Sequence, residues 1–98
     1  MRLGGPTFLS EQTPAAWVAA HRAAGYSAAF CPVDEKADAD TGHAYLAAAQ
    51  QADIAIAEVG AWSNPISLDE TARRQAIELC TSRLALADRV GARCCVNI

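Results

Sequence analysis

Few side chains in this sequence are placed to do chemistry, and Glu58 is the most informative. It ends an otherwise apolar run, Ile54-Ala55-Ile56-Ala57. A carboxylate there is costly to bury alone, so it binds a ligand hydroxyl, supports a metal site or pairs with an arginine. Trp62 follows just beyond, in loop 60–65. An indole in that place can stack on the apolar face of a ligand, or pack on its own strand ends. Asn64 precedes Pro65, a pairing that suits turn chemistry. Asn97 could hydrogen-bond a substrate or satisfy backbone groups in a rim network.

The histidines and cysteines offer less. His21 falls in the middle of a helical segment, which points to the outer surface, and His43 opens the next helix without any partner at ligand spacing. The four cysteines are Cys31, Cys80, Cys94 and Cys95. None forms a C-x-x-C pair and no histidine stands within ligand distance in sequence, which argues against a zinc knuckle. Reduced thiols packing as small apolar groups account for them, with Cys94 and Cys95 on opposite faces of a strand.

The elements that must position these residues are well punctuated. Residues 2–8 form a Gly-containing strand candidate. Thr13-Pro14 opens a helix, with Trp17, Ala20 and Ala24 on one face and Gly25 as its stop. Residues 26–31 read as a second strand closed by Pro32. The acidic stretch 34–40 is a loop, and Asp40 or Thr41 caps a second helix reaching Ala52. Residues 54–59 form the third strand. Ser67-Leu68-Asp69-Glu70 fits a capping box for a third helix, which runs to about Val90 with Ile77, Cys80, Leu84 and Ala87 along its seam. Gly91 ends it, and residues 92–98 form a fourth strand.

The order β-α-β-α-β-α-β implies a parallel sheet with helical crossovers. Nearly continuous apolar strands agree with an α/β fold of this kind. The composition does too: 98 residues, 52% hydrophobic and 19% charged, with alanine prominent. The formal charge of −3 is scattered, without a basic block for phosphates, which argues against nucleic acid as a partner. No apolar run approaches the roughly 20 residues that span a bilayer, and no secretory leader is evident. No membrane partner is therefore expected, and the expected location is the cytoplasm.

Gly4-Gly5-Pro6-Thr7-Phe8 matches neither G-x-G-x-x-G nor a P-loop, which disfavours an open nucleotide-binding sheet. The remaining reading is the first half of a TIM (β/α)8 barrel, with four strands and three helices in one partial domain over residues 1–98. A complete barrel takes about 250 residues. The chain ends on its fourth predicted strand, so it is expected to be a fragment or to be completed by other copies. The open edges and bare inner face imply a homo-oligomer. Chemistry in such barrels gathers at the carboxyl ends of the strands, which selects Phe8, Cys31, Glu58, Trp62 and Asn97 as candidate substrate-binding residues.

The run Ala57-Glu58-Val59-Gly60-Ala61-Trp62-Ser63-Asn64-Pro65 resembles the third-strand loop of the xylose-isomerase-like sugar isomerases and epimerases. Residues 67–92 are similar to that family's third helix, and Cys95-Val96-Asn97-Ile98 to its fourth strand. The likeness covers most of the chain and is strongest over residues 54–98. It implies an isomerase or epimerase acting on a small sugar, sugar phosphate or polyol. It also implies a divalent metal ion (Mn, Mg, Co or Zn) that polarises substrate oxygens while carboxylates move a proton. The metal ligands are expected beyond residue 98, so no ligand and no catalytic base is assigned, and the 98 residues alone are expected to be inactive. Two alternatives stay open: a polyol dehydratase or endonuclease-type barrel of the same superfamily, or a non-catalytic truncated barrel that serves binding or oligomerisation.

Overall fold

The computed structural model describes residues 1–97, and Ile98, the last residue of the fourth predicted strand, lies outside them. Three helices alternate with three strands: α1 (Pro14–Ala23), β1 (Ala28–Phe30), α2 (Ala39–Gln51), β2 (Ala55–Gly60), α3 (Glu70–Val90) and β3 (Cys94–Val96). The strands pair in parallel, in the order β1-β2-β3. The chain is thus an α/β protein built from a parallel β/α repeat.

The first predicted strand is corrected. Residues 2–8 contribute one isolated bridge, Gly4 to Ala28, in place of a strand. The Leu3 carbonyl accepts from both Ser27 N and Ala28 N, after which the pairing stops. Pro6 has no N–H to continue a ladder, and two adjacent glycines give the segment little reason to stay extended. Arg2 ties it down at the amino ends of the strands, donating to the Asp53 carbonyl at 2.6 Å and to the Asp53 carboxylate at 2.7 Å.

The helices begin and end on identifiable caps. Thr13 Oγ1 accepts from Ala16 N, with Pro14 in the first turn of α1. Asp38 caps α2 by accepting from Thr41 N at 2.7 Å, two residues before the expected cap. Asp69 caps α3 through Ala72 N at 2.7 Å. The expected capping box does not form: Ser67 Oγ instead accepts from Asp69 N, shaping the turn before the helix. An aspartate one position before the first helical residue outcompetes a serine three positions back. Gly91 ends α3 in the left-handed region, at φ 68°.

One core cluster joins Trp17 of α1, Tyr45 and Ala49 of α2, Leu86, Ala87 and Val90 of α3, and Ala29, Ile56 and Val59 of the sheet. Burial of Val59, Leu86 and Val90 is complete and contributes about 1.5–3 kcal/mol each. The inner face of α3 keeps Ala87 of the predicted seam but otherwise differs from it. Ile77 and Leu84 are exposed, and the buried stripe runs through Ala76, Leu86, Ala87 and Val90. His21 is also corrected: it is 2% exposed, beneath α1 rather than on the outer surface. Its ring lies against Trp17, one helical turn earlier, at a centroid distance of 4.7 Å.

The sheet's other face carries Phe30 and Cys94, both exposed, and no helix of the described residues packs there. Among those residues, no helix is long and apolar enough to cross a membrane.

Candidate functional site

A single irregularity in the sheet decides where Glu58 points. Ala28 pairs with Ala55 and Ala29 with Ile56, but Phe30 pairs with Glu58, so Ala57 is bulged out. Without the bulge, Glu58 would share the helix-facing side with Ile56, because strand side chains alternate. The extra residue reverses the alternation. Ile56 and Val59 both enter the core, and Glu58 turns to the open face between Phe30 and Cys94.

At the carboxyl ends of β1 and β2 this creates a cleft of about 280 Å³, lined by Phe30, Cys31, Glu58, Gly60, Trp62 and Arg83. Trp62 is 60% exposed. Its indole lies so close over Gly60 that a β-carbon there would collide with it. Glycine is what lets the ring lie across the strand end.

Arg83 reaches the cleft from α3. Its Nε stands 2.7 Å from Glu35 Oε2, with the two side chains 24% and 22% exposed. The atoms lack the alignment of a hydrogen bond, so charge holds them together. No acceptor meets the two Nη groups among the described residues, which leaves them as donors for a ligand.

Cys31 closes the cleft at the end of β1. Its N–H donates to the Glu58 carbonyl at 3.1 Å, and its thiol to the Val33 carbonyl at 3.3 Å. Burial pushes this thiol above its ordinary pKa, outweighing the opposing pull of the Val33 backbone and of Arg83. It is a neutral wall group at pH 7. All four cysteines are free thiols, and burial raises Cys95 as well.

Of the residues selected from the sequence, Cys31, Glu58 and Trp62 are therefore brought together. Asn97 serves the loop instead: its Nδ2 donates to the Ala61 carbonyl and to the Ser63 carbonyl at 3.0 Å, holding the segment that carries Trp62. Phe8 is 95% exposed and lines no part of the cleft, since the strand expected to end on it is absent. Arg83, Glu35 and Phe30 were not selected. Helical spacing back from Val90 and Ala87 through Arg83 to Ala76 is the signal that would have found the arginine.

The described residues hold no group of three His, Cys, Asp or Glu side chains able to bind a metal ion. The ligands of the divalent ion that the resemblance implies are expected beyond residue 98. What the cleft can do is bind: a carboxylate accepts hydroxyl protons, a guanidinium donates, and an exposed indole offers an apolar plane. No family model, curated protein or solved structure matches the chain.

Proposed function

We propose that the cleft binds a small sugar, sugar phosphate or polyol, and that the chain forms one wall of a (β/α)8-barrel isomerase or epimerase. One observation carries the reading: Glu58, Arg83 and Trp62 surround a single cleft at the carboxyl ends of parallel strands. These three groups together suit a polyhydroxylated ring. Its hydroxyls pair with a carboxylate and a guanidinium, while the C–H face stacks on an indole. The site also falls where β/α barrels place their chemistry. In this reading Glu58 and Arg83 orient hydroxyls and Trp62 shields the ring from water. The proton-moving groups and any divalent ion belong to residues outside those described.

The test is incubation of the protein with its barrel completed, by a longer chain or by further copies, in D2O with pentoses, hexoses and their phosphates, followed by proton NMR. Aldose–ketose or C3-epimer interconversion with deuterium entering at the reacting carbon is the expected result. Loss of that turnover on exhaustive chelation supports the metal-dependent class, and turnover that survives chelation argues against it. Absence of both turnover and binding across the panel sinks the proposal.

A further inference from the structure

A second cavity, of about 230 Å³, lies between the N-terminal segment, α1 and the end of β1. Phe30 and Cys31 line it as well as the Glu58 cleft, so the two share a wall. Its other apolar walls include Leu9, Trp17 and Pro32. No carboxylate, lysine or arginine lines it. A charged ligand would find no counter-ion there.

The informative group is His21, a lining residue that is 98% buried by its 2% exposure. Its Nδ1 lies 2.8 Å from the Trp17 carbonyl oxygen. A carbonyl can only accept, so Nδ1 carries the hydrogen, and in the neutral ring Nε2 is left with a free lone pair. No protein donor meets Nε2 among the described residues, yet it is not sealed off in the way that Arg83 Nε and Glu35 Oε2 are. The cavity is the space it opens on. Of the other polar groups in the wall, the Cys31 thiol is already committed to the Val33 carbonyl at 3.3 Å. Thr7 and Gln12 are further polar residues of the lining. The pocket therefore presents mainly apolar walls, with His21 Nε2 as its buried unpaired acceptor.

We infer that this cavity is a binding site for a small neutral molecule with a flat apolar body and one hydroxyl, of the phenol type. The hydroxyl donates to His21 Nε2, and the ring packs among Trp17, Phe30 and Leu9. This inference does not rest on the sugar-binding reading. It uses a different cavity and a ligand of opposite polarity.

The experiment titrates the intact protein with phenol, and with toluene as the same shape without the donor. The His21 imidazole nitrogens are followed by two-dimensional NMR, and Trp17 fluorescence is read in a Trp62→Phe background. The expected result is a saturable phenol-dependent shift at His21 Nε2 and a preference for phenol over toluene of roughly tenfold, the worth of one hydrogen bond. In His21→Phe the preference is expected to fall to about one. The unaltered protein carries the test by itself if that variant does not fold. Equal affinity for phenol and toluene, a phenol response that leaves Nε2 unmoved, or no saturable binding because water alone occupies the cavity would each overturn the inference.

Discussion

Glu58 and Arg83 face one cleft without forming a pair, because Glu35 has already claimed the arginine. Arg83→Met is therefore expected to leave the Glu35 carboxylate half-enclosed and alone, costing about 1–3 kcal/mol after allowance for its partial exposure. Adding Glu35→Gln should recover most of that loss, and urea unfolding of the two variants checks it. Cys31 gives a second expectation. Its thiol should react with iodoacetamide far more slowly than exposed Cys94 at pH 8, as peptide mass spectrometry would show. Because burial raises the folded pKa of Cys31 and Cys95, the folded chain holds these protons to higher pH than the unfolded one. Their contribution to stability is complete below the ordinary thiol range, about pH 8.5, and declines as pH rises through the folded values. At this scale Glu58 was readable from the sequence, since a carboxylate closing an apolar strand needs a reason. Arg83 was not, because its importance depends on which face of α3 turns inward. His21 was misread for the same reason: mid-helix position alone does not say which side is buried.

The elements themselves were read well and their edges less so. Caps and stops follow from local chemistry, and all three helices lie near the expected ranges. Two neighbouring polar side chains can compete for one cap, however, and the spacing S-x-x-E does not decide the winner. Asp69→Ala is expected to lower stability by about 1 kcal/mol, with a clearly smaller loss for Ser67→Ala, measured by thermal unfolding. A capping box would make the two losses similar. Gly91→Ala should cost about 1 kcal/mol, since φ is 68° and the nearest side-chain atom, Leu46 Cδ1, would stand 3.6 Å from the new β-carbon. The penalty is backbone strain, not crowding. The bulge at Ala57 was beyond sequence reading. Nothing in Ile54-Ala55-Ile56-Ala57-Glu58 announces that one alanine drops out of register, yet this alone brings Glu58 to the open face.

Across the whole molecule, the alternation of strands and helices was fully apparent, while the first strand was over-read from apolar residues that Gly4, Gly5 and Pro6 prevent from pairing. The result is a parallel sheet with all three helices joined in one core and a bare opposite face where Phe30 and Cys94 meet solvent. Glu58 and Trp62 lie where that face meets the carboxyl ends of the strands, so the bulge, the glycine at position 60 and the turn held by Asn97 all serve one cleft. The claim that this cleft takes polyhydroxylated ligands is tested most directly by NMR titration of the isotopically labelled protein with ribose, fructose and their phosphates. Saturable shifts should concentrate at Glu58, the Trp62 indole N–H and the Arg83 guanidinium, and Glu58→Gln should weaken binding by roughly tenfold, the loss of a charged hydrogen bond. Shifts absent from these residues at saturating sugar, or affinity unchanged in Glu58→Gln, would contradict it.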